Sequence, residues 1–164
     1  MDADGDLLTL EQQDRTRWDR ALIAEGFSRL AQAASGDRMT VYHTEAMAAS
    51  VHAASPSWAA TDWDAIVRAY DVRLTLAPSP VVELNRIVAL AQRDGAVPAL
   101  AALDALEQRG VLQDSPQRHA VRGELLASAG DHVGARAAFD RAIAAVSATP
   151  IRRHWSRRRD ALTR

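Results

Sequence analysis

At 164 residues with a formal net charge of −1, the chain is long enough to bury one substantial core and too evenly charged to be drawn to nucleic acid or an anionic membrane by its overall field. It has no cysteine, which excludes a disulfide framework, a thiolate nucleophile and a Cys-ligated metal. All 20 basic residues are Arg, a skew that reads as the codon bias of a GC-rich genome before it reads as function.

The opening segment, Met1 to Asp6, is acidic and lacks the basic and apolar regions of a signal peptide. No apolar run approaches the roughly 18 residues of a membrane span. A cytoplasmic protein with no membrane association is expected. The initiating Met1 and a capped first helix point to a chain that folds alone.

In chain order, residues 1–9 read as an irregular lead. Thr9 and Gln12 have capping spacing, and Leu10 to about Ala34 reads as one long helix with an apolar face of Trp18, Leu22, Ile23, Phe27 and Leu30. Gly36 ends it. Thr40 opens a second helix running to about Ala54, and Ser55-Pro56-Ser57 breaks the chain. Thr61 and Asp64 stand at capping-box spacing before a third helix near 62–77, and Ser79-Pro80 starts a fourth near 80–94. A fifth helix is expected near 97–108. Ser115-Pro116 starts a sixth, Gly130 stops it, Asp131 caps a seventh over about 135–146, and Thr149-Pro150 starts an Arg-rich eighth. No stretch alternates long enough to argue for a strand. The expected fold is all-α, with about eight helices in a single domain over residues 10–164.

An internal repeat is visible. Gly130-Asp131 followed by Ala135, Phe139 and Ala142 has the spacing of the second helix of a tetratricopeptide unit, with Gly123 as the small residue of the first. Gly95 followed by Ala99, Leu103 and Leu106 repeats it weakly. Stacked helical hairpins sharing one core are expected.

Several separated blocks carry a family resemblance. Gln13-Asp14-Arg15-Thr16-Arg17-Trp18-Asp19 matches a QDRxxWD signature and is followed by Ile23-Ala24-Glu25-Gly26. Val51-His52-Ala53, Asp62-Trp63, the run from Pro78 to Arg86, and the run from His119 to Leu126 follow in the same order. Together they resemble the C-terminal extension of a large actinobacterial group of extracytoplasmic-function sigma factors, which is helical and tetratricopeptide-like. The resemblance implies a regulatory extension that lies behind two DNA- and polymerase-binding domains. This chain carries neither domain, so it is not expected to act as a sigma factor alone.

The chain also departs from that pattern. Thr44 stands for a Leu, Ala48 for an Ile, Glu45 for a Gln, and Arg73 where a Leu is common; Ser115-Pro116-Gln117 replaces a segment with Tyr and His. Losing a core Leu and Ile uncompensated costs on the order of several kcal/mol. A cavity filled by water or a ligand is one way to tolerate it; drift in a repurposed copy is another.

His43, Glu45 and His52 lie on the second helix. His43, Val51 and His52 are expected along one side, with Glu45 offset from them. A His/Glu set of this kind can move protons, and it can equally form an ion pair in a helix bundle. A metal is not expected, because there is no HExxH and two His with one Glu on one helix need a ligand from elsewhere. Asp14, Arg17, Trp18, Asn85 and Arg86 read either as a buried polar network fixing the first helix on the fourth, or as groups orienting a ligand. Arg73 could hold an anionic ligand, pair with Glu45 or stand in solvent, and His119 is a further ligand candidate. The run from Arg152 to Arg159 is the one basic patch. Its dipole-complementing place at a helix end weighs against nucleic acid.

Two readings of function survive. The first is a module that binds a protein partner. The second is a pocket protein that binds a small molecule, or a cofactor-free cyclase- or isomerase-type enzyme using His43, Glu45 and His52. Neither calls for a cofactor.

Overall fold

Side-chain caps decide where the helices begin. Asp19 accepts from Ala21 N and Leu22 N, Asp62 from Ala65 N, Ser115 from Arg118 N, and Asp131 from Gly134 N, each satisfying a backbone donor that has no partner inside its own helix. The computed structural model describes residues 7–36 and 38–162, so the irregular lead expected over 1–9 lies mostly outside the described residues. Among these residues are eight α-helices and no strand: α1 (Arg20–Ala33), α2 (Val41–Ala54), α3 (Trp63–Leu76), α4 (Pro80–Asp94), α5 (Ala96–Gln108), α6 (Pro116–Ser128), α7 (His132–Ala145) and α8 (Thr149–Ala161). The all-α expectation is met.

Two local expectations are corrected. The long first helix is broken. The Thr9–Gln12 pair forms, with Thr9 N on Gln12 Oε1 at 3.1 Å, but it closes only a single turn. Asp14 then caps a 3-10 turn over Arg15–Arg17 by accepting from Thr16 N and its hydroxyl, and Trp18 and Asp19 are extended before α1 starts. Two capping aspartates inside one apolar period interrupt what the period alone would continue. The box expected of Thr61 and Asp64 gives way to a cap at Asp62. Thr61 is buried, and its hydroxyl donates to Ser57 O.

The chain divides into two compact units, Thr9–Ala89 and Leu90–Arg164, with the division inside α4. In the first, α2 packs on α3, and Ile66, Val67 and Ala89 form a buried cluster flanked by Val51, Trp63 and Tyr70. In the second, α6 packs on α7 most extensively, joined by a turn in which Gly130 takes φ +86°. Asp131 N there bonds back to Leu126 O and Gly130 N to Ala127 O, closing the end of α6. Every apolar position of the internal repeat is buried: Ala99, Leu103, Leu106, Ala135, Phe139 and Ala142. Arg122 ties α6 to α5 through a two-pronged bond to Glu107, at 3.1 and 2.8 Å, with Asp104 on the same guanidinium.

The Arg-rich α8 is drawn into this unit. Arg152 bonds Val146 O, Arg158 pairs with Glu124, and Arg159 with Asp140 and Asp160.

Gly123 shows how closely α6 and α7 approach. A Cβ there would lie 3.0 Å from two atoms of the fully buried Phe139 ring. Gly123→Ala is therefore expected to destabilise the chain by about 1–3 kcal/mol through overpacking. Urea unfolding checks this, and an unchanged midpoint would contradict so close an approach.

Candidate functional site

The site begins with Arg15, which sequence reasoning passed over. It is only 3% exposed, and its hydrogen-bond acceptors are two carbonyls and a hydroxyl rather than a carboxylate. Its Nη1 donates to His52 O and Ser55 O, both at 3.0 Å, and its Nη2 to the Thr61 hydroxyl at 3.4 Å. Those carbonyls lie at the C-terminal end of α2, where helical C=O groups lack partners and the helix dipole favours a cation. The guanidinium also sits over the Trp18 ring, 5.2 Å from its centroid. One side chain thus fixes the end of α2, the entry to α3 and the indole that follows the 3-10 turn.

Beside Trp18 opens a cavity of about 490 Å³. Its floor is the small-residue face of α2, Ala48, Ala49 and Ala53; Leu10 and Val82 add apolar wall, and Trp18 and Tyr70 supply aromatic surface. Its polar groups are Glu45 and His52 from α2, Arg73 from α3 and Asn85 from α4. Thr44, the other large-to-small departure, lies outside the cavity; it is buried with its hydroxyl on Val41 O at 2.7 Å.

His52 is held on edge against Trp63 (5.4 Å, 75°) and stacked on Trp58 (6.0 Å, 10°). Burial, then the Arg15 charge, pushes its pKa below the usual histidine value, and its Nδ1 is buried with no hydrogen-bond partner. Tyr70 is pushed up, by burial and then by Glu45. The Arg73 Nη1 donates to Ala77 O at 2.7 Å, while its Nε is buried with no hydrogen-bond partner. Glu45 Oε1 stands 3.6 Å from that Nε, beyond hydrogen-bond reach.

The remaining candidates lie elsewhere. His43 is not on the His52 side. Nine residues at 3.6 per turn turn it by about 180°, whereas the seven-residue offset brings Glu45 and His52 together. His43 Nδ1 accepts from Thr40 N at 3.2 Å, and its Nε2 meets Ala33 O at 3.1 Å, so the ring belongs to the cap of α2. Asp14 caps the 3-10 turn, and Arg86 pairs with Asp71 at 2.6 Å. The network expected of Asp14, Arg17, Trp18, Asn85 and Arg86 is thereby split among separate tasks. His119, in the Leu90–Arg164 unit, lies against Arg118.

Next to the cavity, sharing Ala49 and Ala53 of α2, runs a second feature. Ile23, Gly26, Phe27 and Leu30 of α1 face Ala46, Ala49, Ser50 and Ala53 across an apolar groove of about 230 Å³. No residue of α1 is buried, and Leu22 is 65% and Phe27 38% exposed.

Against known proteins, a family of unknown function, DUF6596, matches residues 1–34 of the chain. Over 143 residues the chain is 41% identical to an uncharacterized protein of Rhizobium meliloti (strain 1021). The match covers 87% of this chain and 33% of the relative, so the chain spans about a third of the length of the relative it matches. No solved structure matches the chain.

The His52 geometry sets a pH dependence. Its folded pKa lies below the ordinary 6.5, so the unfolded chain takes up the proton first. Stability is therefore complete above that value and falls as pH drops through 6.5 toward the folded pKa. His119 and His154 are lowered too, chiefly by burial, and add to the slope. Urea unfolding at pH 7.5 and 5.5 is expected to show this loss, and His52→Gln to reduce it. An equal loss in the variant would remove His52 from the explanation.

Proposed function

We propose that the chain is a regulatory helical module of the kind that extends extracytoplasmic-function sigma factors at their C-terminus. It acts by docking its α1–α2 groove onto the DNA- and polymerase-binding domains that precede such an extension. The observation that carries this reading is α1, a helix of 14 residues with none buried and an apolar face open beside a groove. Helices of that length are marginal alone, and contiguous exposed apolar surface marks interaction sites. A partner helix laid into the groove would bury Leu22, Phe27 and the alanines of α2 together.

Three further observations support the sigma-factor context. The signature blocks occur in family order along nearly the whole chain. The Rhizobium relative is about three times longer than the matched segment, as a protein carrying such a module among other domains would be. The close α6–α7 hairpin, with Gly123 against Phe139, is in keeping with a tetratricopeptide-like unit.

The test uses this chain and the part of the Rhizobium relative outside the match, purified separately and mixed. Calorimetry is expected to show a saturable complex. The double change Leu22→Asp, Phe27→Asp should weaken it at least about tenfold, the scale of an interface anchor. The same change should leave stability within about 0.5 kcal/mol per site, as exposed substitutions usually do. No complex, or a complex indifferent to the double change, would overturn the reading.

A further inference from the structure

We propose that the cavity lined by α2 and α3 is a binding site for a small monocarboxylic acid with an apolar body, its carboxylate held by Arg73. No residue of α1 lines this cavity, although Ala49 and Ala53 of α2 are shared with the groove beside α1.

The cavity has the size of a small-molecule site, which spans roughly 300–1,000 Å³. Its shape comes from subtraction, since Ala48, Ala49 and Ala53 give α2 a floor with almost no side-chain volume. Trp18 and Tyr70 offer aromatic surface above that floor, suited to an apolar or aromatic body.

The polar end is defined by what is left unpaired. Arg73 is held in place by its bond to Ala77 O, and its side chain is only 15% exposed. A buried cationic donor without an acceptor is unfavourable, and Nε is one. Glu45 balances its charge from 3.6 Å, but that carboxylate is 61% exposed and hydrogen-bonds nothing there. An incoming carboxylate gives Nε its acceptor and releases Glu45 to water, so the exchange conserves charge. The cavity wall carries one guanidinium and a nearby carboxylate, which suits a monoanion and disfavours a phosphate dianion. His52 lines the same cavity, and its buried Nδ1 has no hydrogen-bond partner, so its ring is the nearest candidate for a second polar atom of the ligand.

Calorimetry on the whole chain with 3-phenylpropionate and its uncharged analogue 3-phenylpropionamide tests the proposal. The acid is expected to bind saturably and at least about tenfold tighter than the amide, the scale of one charge-assisted hydrogen bond. Arg73→Met should erase that preference. Glu45→Gln changes an exposed side chain, so it is expected to fold, and by removing the competing carboxylate it should tighten the acid several-fold. Leu22→Asp, Phe27→Asp should leave acid binding unchanged, so this proposal and the docking reading fail separately. Equal affinity for acid and amide, weaker binding in Glu45→Gln, or no binding at millimolar concentration would overturn it. Displacement of the acid by a short glutamate-containing peptide at equal concentration would also overturn it, moving the carboxylate from a free acid to a protein side chain.

Discussion

The Thr9–Ala89 unit depends on one buried guanidinium. Arg15 has no opposing carboxylate among its hydrogen-bond partners; it is stabilised by the carbonyl end of α2, a threonine hydroxyl and an indole face. A cation in that position satisfies C=O groups that a helix end leaves open, and it is favoured by the dipole of the same helix. The contacts join segments 37 to 46 residues apart in sequence. They fix where α2 stops and where Trp18 stands. The cavity follows from those two positions, since Trp18 lies on its wall and α2 forms its floor.

Helix α2 then faces two ways. Its alanines Ala49 and Ala53 line both the cavity and the groove toward α1. Small residues make this possible, because a Leu or Ile at either position would fill one space and close the other. A ligand in the cavity and a helix in the groove would both contact the same two methyl groups. Were both sites occupied as proposed, the shared helix would be a physical route by which a bound molecule alters docking.

Much of the helix plan could be read from local chemistry. Ser115-Pro116, Gly130 and Asp131 act as written, because a cap needs only neighbours within a turn. The failures share a cause. The apolar period from Trp18 to Leu30 continues through a break that Asp14 and Asp19 impose, since periodicity does not register a competing side-chain cap. The candidate residues divide in the same way. Glu45, His52, Arg73, Asn85 and Trp18 line one cavity, whereas His43 sits half a turn away and Arg86 answers to Asp71. Arg15 stood inside a recognised block, but its partners lie across the fold, and no spacing rule reaches them. The rings of Trp58 and Trp63, 4.5 Å apart around His52, were open to view as two indoles flanking a turn.

Ala48 is where packing and function meet most directly, being buried and on the cavity floor. The decisive measurement is the melting temperature of Ala48→Ile together with its affinity for 3-phenylpropionate. If the space is retained for a ligand, filling it raises the melting temperature by several degrees and removes acid binding, the exchange expected where function holds stability below its optimum. A lower melting temperature with acid binding unchanged would mean that the interior has repacked around alanine and that the cavity serves no ligand.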